Sequence, residues 1–235
     1  MTRDEQRDLL LHGDIEVLGR VDGSSNQALL IGVTLDGAEG QACYKAEAGE
    51  RPLWDFPDGL WRREVAAYEL DCCLNTDLVP TTVAREDAPF GIGSLQWWVD
   101  DNLEDHYFTL REREEFRPWF TSLAAFDVVA NNADRKSGHI IFDDERCWAI
   151  DNGLCFNEVE KLRTVVWEFS DERLSDDLCE QLERFASGNG GELAQYLTPS
   201  EIALTQHRAK VLVDTRRYPA PNEDGDWPPY PWPLV

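Results

Sequence analysis

The sequence predicts an α+β chain of two lobes, a small antiparallel β lobe followed by a mainly helical large lobe. Three observations carry this. Short runs of alternating polar and apolar residues fill the chain up to Val99, the composition turns abruptly polar at Asp100-Asp101-Asn102-Leu103-Glu104-Asp105, and beyond that linker apolar residues recur mostly at helical spacing. The lobes are accordingly placed at 1–99 and 100–235. With 235 residues, 42% of them apolar, the chain is long enough to bury a substantial core.

Taken in order, Arg3 to Leu11 is a polar amphipathic helix, and Asp14 to Gly19 alternates as a strand. Asp22-Gly23-Ser24-Ser25-Asn26 then separates that strand from the next, Ala28 to Val33. Small residues with free backbone N–H groups between two strands form either a plain hairpin turn or a loop that closes over phosphates. The strand Gln41 to Lys45 ends on a lysine beside that loop, where it is either solvated or a bridge to an anion. Arg62 to Leu70 is rich in helix formers, and Glu64, 19 residues after Lys45, is the candidate partner of the lysine, with Glu69 as a competitor. Two more strands, Thr81 to Arg85 and Ser94 to Val99, complete the small lobe.

In the large lobe, Thr109 to Ala130 reads as one long helix, and residues 172–187 and 199–216 as two more. A Pro/Trp-rich tail, Trp227-Pro228-Pro229-Tyr230-Pro231-Trp232-Pro233, cannot be helical, because proline lacks an N–H and blocks the preceding turn. It either packs on the large lobe, which would cover its aromatic rings, or serves as a proline-rich ligand.

Between the long helix and residue 172 lie two short segments with chemical content. Asn131-Asn132-Ala133-Asp134-Arg135-Lys136-Ser137-Gly138-His139 places a carboxylate, Asp134, and a possible metal ligand, His139, before the apolar run Ile140-Ile141-Phe142. A second run, Cys147 to Ile150, delivers Asp151, with Gly153 two residues on to let the backbone turn away. Joined by Asp143-Asp144-Glu145-Arg146, the two runs form a hairpin that projects both carboxylates from one end. Phosphoryl transfer needs that arrangement: one acid orients the attacking hydroxyl, while other ligands hold Mg²⁺ across the phosphates of ATP. Either segment alone is an ordinary surface turn. Together with the upstream loop, lysine and helix glutamate they make an ordered set.

Composition narrows the partners. Forty-six acidic against 22 basic side chains give a net charge of −24, which opposes nucleic acid and anionic membrane surfaces. No apolar stretch approaches the ~20 residues of a membrane helix, and the N-terminal residues are charged. The six cysteines (43, 72, 73, 147, 155, 179) contain no CxxC pair, so neither a zinc cluster nor a disulfide framework is expected, and a reducing cytoplasm is the natural setting.

The order Gly23-Ser24-Ser25-Asn26, Tyr44-Lys45, Glu64, Leu78-Val79-Pro80-Thr81, Gly93-Ser94-Leu95-Gln96, Asn132-Ala133-Asp134-Arg135 and Ala149-Ile150-Asp151-Asn152-Gly153-Leu154 resembles the type II phosphatidylinositol 4-kinases and their bacterial relatives. More closely, the chain is similar to an actinobacterial phosphatidylinositol 3-/4-kinase-like family, and more distantly to HipA-type kinases. The resemblance spans nearly all of residues 10–170 and implies a protein-kinase-like, PI3-/4-kinase-like fold. It makes Gly23 to Asn26 the phosphate loop, Lys45 the phosphate lysine, Glu64 its partner, Gln96 to Val99 with Trp98 the hinge that meets adenine, Asp134 the catalytic carboxylate and Asp151 a metal ligand. His139 stands where those kinases generally place an asparagine. A neutral imidazole there would favour Mn²⁺, or serve as a hydrogen-bonded structural residue instead.

The expected function is therefore ATP-dependent phosphotransfer to a hydroxyl, with Mg²⁺ or Mn²⁺. The alternatives are a nucleotide-binding pseudokinase and an adenylyl transferase, and the resemblance also brings in a lipid kinase. Charge argues against a phosphoinositide surface and for a protein or small-molecule acceptor, with Lys161 and Arg163 as the basic pair positioned to meet one anionic group.

Overall fold

The computed structural model describes residues 1–21, 27–102, 104–188, 190–225 and 227–234. The expected loop residues Gly23, Ser24, Ser25 and Asn26 lie outside them. Helix α1 (Arg3–His12) opens on a capping box, in which Thr2 accepts from the Glu5 N–H and the Glu5 carboxylate accepts from the Thr2 N–H. Five strands follow, β1 (Asp14–Arg20), β2 (Ala28–Leu35), β3 (Ala38–Ala46), β4 (Thr82–Arg85) and β5 (Gly93–Trp97), in one antiparallel sheet of order β1-β2-β3-β5-β4. Asp36 and Gly37, both at positive φ, close the two-residue turn between β2 and β3.

Alternation sorts the faces of this sheet. Ala42, Tyr44 and Ala46 of β3 pack with Ile31, Val83, Leu95 and α1's Leu9 and Leu10 into one core. Cys43 and Lys45 therefore point the other way. Their register partners Leu30 and Ala28 on β2, and Gln96 and Ser94 on β5, share that opposite face. Helix α2 (Leu60–Leu74) lies between β3 and β4 in sequence. Its N-terminal N–H groups are capped from a distance, since Gly59 has no side chain to offer: the Glu50 carboxylate accepts from Gly59, Leu60 and Trp61 at 2.7–2.9 Å.

The second half is mainly helical: α3 (Tyr107–Leu110), α4 (Arg117–Ala130), α5 (Asp176–Ala186) and α6 (Pro199–Thr215), with the hairpin β6 (Ile140–Phe142) and β7 (Cys147–Ala149). The long helix expected over Thr109–Ala130 is broken. Arg113 is extended, and Pro118 restarts the helix at its first turn, where a missing N–H costs nothing. The helix expected over 172–187 starts later, at Ser175, whose hydroxyl accepts from the Leu178 N–H. A single apolar cluster runs from α2 through α4, β6, β7 and α5 to α6.

The halves are tied together across their boundary. Buried Arg63 of α2 pairs with Glu201 of α6 at 2.5 Å and donates to the Cys155 carbonyl at 3.0 Å. Glu201 closes the α6 capping box with Thr198 as well. The Ala149 N–H donates to the Leu78 carbonyl at 2.9 Å, and the Asn102 N–H to the Phe142 carbonyl at 3.0 Å, so the β6–β7 hairpin hangs from the chain leaving the sheet.

Candidate active site

The candidate site lies between the partly covered face of β3 that carries Cys43 and Lys45 and the open end of the β6–β7 hairpin. Lys45 projects from β3 and meets two carboxylates at once, Glu64 of α2 and Asp151 just past β7, the latter at 2.6 Å. Both acids outweigh the burial that would otherwise discharge the lysine, and hold its pKa above the ordinary value. Asp151 is the reciprocal case: the Lys45 ammonium pulls its carboxyl well below the usual range, so it stays ionised. Burial raises Glu64, opposed by Lys45 and by the Asn152 N–H, which donates to Glu64 at 2.9 Å. The competitor Glu69 is engaged elsewhere, with Arg7 at 2.9 Å.

Asp151 sits at positive φ, a conformation that Asp tolerates better than most residues, so the turn after β7 is made at Asp151. Gly153 serves closeness of approach, because a Cβ there would meet Glu64 Oε1 at 3.2 Å. Main-chain pairing of the Ile150 N–H with the His139 carbonyl continues the hairpin by one rung. That rung brings His139 Nε2 to 3.2 Å from Asp151 Oδ2. Burial lowers the His139 pKa, favouring the neutral imidazole, which has one ring-nitrogen lone pair to offer, and its Nδ1 is buried with no hydrogen-bond partner among the described residues.

A divalent cation fits this pair. Two ligands on adjacent corners of one small cation, each bonded at about 2.1 Å, stand about 3 Å apart, which matches the His139–Asp151 separation. Among the described residues no group of three or more His, Cys, Asp and Glu side chains is assembled to hold a metal, so a cation held by this pair would need water or phosphate oxygens at its further corners.

Asp134 lies on the loop between α4 and β6. Lys136 contacts its carboxylate at 2.8 Å, and both side chains are 22% exposed, at the surface of the cleft. The loop is fixed from behind by a charge pair with no solvent exposure at all, Arg135 with Asp127 of α4 at 3.1 Å. Asp127 further accepts from Asn132 Nδ2 at 3.0 Å and Thr164 Oγ1 at 3.0 Å. Arg135 donates onward to the Ile150 carbonyl at 2.8 Å and to Asn152 Oδ1 at 2.6 Å, the residues on either side of Asp151. One buried pair therefore sets the positions of both candidate carboxylates, Asp134 and Asp151. The sequence reading named Asp134 and Asp151 and missed this anchor; the signal was an arginine directly after the acid, with an aspartate two helical turns earlier on the buried face of α4.

Other expectations divide. Strand β5 stops at Trp97, short of Val99, and the N–H groups of Trp97 and Trp98 are committed to the carbonyls of Thr81 and Gln41. Gln96 Nε2 donates to Thr82 Oγ1 at 3.0 Å, so Gln96 serves the sheet. Lys161 does not face an acceptor: it is 4% exposed, paired with Asp55 at 2.8 Å, and surrounded by the rings of Trp54, Phe56 and Trp227. Arg163 spends its backbone on the catalytic loop, its N–H donating to Asn132 and its carbonyl accepting from Arg135. A cavity of about 860 Å³ lies between α6, the 158–162 segment and the tail, and neither Lys45, Asp134 nor Asp151 lines it.

With this geometry in view, the comparisons become informative. The sequence is 35% identical over 270 residues to protein Rv2133c of Mycobacterium tuberculosis, covering 98% of this chain and 96% of that protein. The chain belongs to the family of that mycobacterial protein. No protein-family model matches it. Among solved structures, the Golgi casein kinase with Mn/ADP bound aligns with a TM-score of 0.58 at 14% identity, over 91% of this chain and 75% of that one. Helicobacter pylori proinflammatory kinase CtkA aligns at 0.51 and 10%, over 89% and 94%, and hydra Fam20 with sugar at 0.52 and 13%, over 88% and 86%. At such identities the likeness is one of fold: this member of the mycobacterial family has a kinase-like fold. Among the described residues no helix is long and apolar enough to cross a membrane.

The buried anchor generates a stability prediction. Asp127→Ala strands the Arg135 guanidinium without solvent or counter-charge and should cost ~3–5 kcal/mol in urea unfolding, whereas Glu172→Ala, breaking an exposed pair with Arg117, should stay within ~0.5 kcal/mol.

Proposed function

We propose that this protein is an ATP-dependent phosphotransferase that uses a divalent cation and a hydroxyl acceptor. The observation that carries the reading is the Lys45 bridge to Glu64 and Asp151, which concentrates one fixed cation and one ionised carboxylate at the mouth of a kinase-like cleft. In this reading Lys45 binds phosphate oxygens, and Glu64 holds the lysine at the cleft when phosphate draws it away from Asp151. The apolar side chains Ala28, Leu30 and Cys43 roof the space for adenine; burial raises the Cys43 thiol to about 11, so it stays neutral.

Asp151 and His139 would hold the cation, which supplies charge neutralisation across the transferred phosphate. Asp134 orients the acceptor hydroxyl and takes its proton as the hydroxyl oxygen bonds to the γ-phosphorus and the bond to the β-phosphate oxygen breaks. Lys136, beside Asp134, adds a second fixed positive charge near the transferred group. Retention of Lys45, Glu64, Asp134 and Asp151 in one cleft favours catalysis over a pseudokinase role, which needs only nucleotide binding. Since Lys161 is sequestered and the chain carries −24, the acceptor is a soluble protein or small hydroxylated molecule, and a phosphoinositide surface is disfavoured.

Lys45→Met should weaken ATP binding by roughly 10- to 150-fold in calorimetry, the range expected for one lost charge-assisted contact; unchanged affinity would remove the phosphate role. Asp134→Asn should leave ATP affinity near wild type while turnover falls by ~10²–10⁴-fold, because its contribution is made in the transition state. His139→Asn exchanges nitrogen for an oxygen ligand, so the ratio of activity in Mg²⁺ to that in Mn²⁺ should rise; an unchanged ratio assigns His139 to structure alone.

A further inference from the structure

The Pro/Trp-rich tail does not simply cover the large lobe. It runs along the catalytic loop, making three hydrogen bonds there: the Ser137 N–H donates to the Leu234 carbonyl at 2.8 Å, the Thr164 N–H to the Pro229 carbonyl at 3.1 Å, and Trp167 Nε1 to the same Pro229 carbonyl at 3.0 Å. Ser137 is three residues past Asp134. Thr164 belongs to the segment that pairs with Arg135 in a short parallel bridge, closed by bonds from the Arg135 N–H to Arg163 and from the Val165 N–H to Arg135. The tail thus lies as a bent, irregular segment against a ribbon whose other member carries the Asp134 loop, its carbonyls accepting from that ribbon.

Two observations make this attachment shallow. Pro228, Pro229, Pro231 and Pro233 have no N–H, so at those positions the tail can only accept main-chain bonds. Pro229 and Pro231 are buried, but its larger side chains are not: Trp232 is 87% exposed, Tyr230 42% and Leu234 39%, and the 860 Å³ cavity, walled in part by Trp227 and Pro229, lies behind it. A segment with few buried apolar contacts opens at low free-energy cost. Its firmest point is Trp227, whose ring lies over Lys161 at 4.7 Å and beside Trp54 at 5.7 Å.

We propose that the edge presented by the Ser137 and Thr164 N–H groups is a docking site for a proline-rich polypeptide segment, which Trp227–Leu234 fills in cis as a displaceable strap. The chemistry of the site specifies its occupant: an uncharged, proline-rich segment presenting carbonyls at the two N–H donors and a ring over the Lys161 ammonium. Where the docked polypeptide is itself the hydroxyl acceptor, this rests on the phosphotransferase reading, and it narrows that reading to a protein acceptor.

The probe is a fluorescein-labelled peptide of the strap's own sequence, Trp-Pro-Pro-Tyr-Pro-Trp-Pro-Leu, tested against the full chain and the full-length Trp227→Ala variant, which loosens the strap and leaves the site's donors intact. A tethered strap acts at an effective concentration of about millimolar, so the wild-type chain should resist the free peptide. In that variant the peptide should bind about tenfold tighter than to wild type, and the Ser137 and Thr164 amides should exchange hydrogen about tenfold faster until peptide is added. The milder strap variant Trp227→Phe should shift both readouts in the same direction, by less, if Trp227→Ala is unstable. Wild-type exchange at both amides, or fast exchange with no peptide binding, would overturn the proposal. Neither readout needs turnover: a chain that binds the peptide yet transfers no phosphate keeps the strap and loses the phosphotransferase reading.

Discussion

A guanidinium and a carboxylate with no exposure to solvent, Arg135 and Asp127, hold the rest of the site in place. Removing two charges from water is costly, and a buried pair repays that cost only when its remaining donors and acceptors are filled. Here they are filled by the segments of the candidate site: Asn132 on the Asp134 loop, Thr164 on the segment beside it, and Ile150 and Asn152 on either side of Asp151. The requirement to satisfy one buried arginine thus fixes the loop of Asp134 relative to the turn of Asp151. Positioning of this kind is what a phosphotransfer site needs, since the reaction is accelerated mainly by geometry and charge.

Above that floor the electrostatics are balanced by sharing. Lys45 stands between two acids, and each acid is held by something else as well: Glu64 by the Asn152 N–H, Asp151 by His139. A lysine in such a position stays charged when one partner turns to another ligand, because the second remains. Were Asp151 to exchange its lysine contact for a cation, as proposed, Lys45 would keep Glu64 as a partner. The Cβ-free surface of Gly153 makes room for Glu64 to reach both partners.

Much of this was legible in the sequence because it is local or ordered along the chain. The alternation in β3 puts Lys45 opposite the buried Tyr44, and the hairpin from Ile140 to Ala149 follows from two apolar runs and a polar turn. The kinase-like fold was implied by the resemblance of the ordered motifs around Lys45, Glu64, Asp134 and Asp151 to known kinases, and the solved structures bear it out. What was not legible depends on contacts far apart in sequence. Lys161 reads as an exposed cation near the site, yet Asp55, 106 residues away, and three aromatic rings enclose it. The break between α3 and α4 was hidden by continuous helix-forming residues, although Pro118 marked where the second helix starts. Glu50 gave no signal as a helix cap, because it lies nine residues before Gly59 and reaches α2 only through the folded loop.

The central claim is that the cleft moves the γ-phosphoryl group of ATP. Its most direct test is incubation of the purified protein with γ-labelled and, separately, α-labelled ATP in Mg²⁺ and in Mn²⁺, against candidate protein and small-molecule acceptors. Label transferred from the γ position, absent in Asp134→Asn and in Asp151→Ala, is the predicted result. Label transferred from the α position instead, or γ transfer that persists when both carboxylates are replaced, would contradict the account.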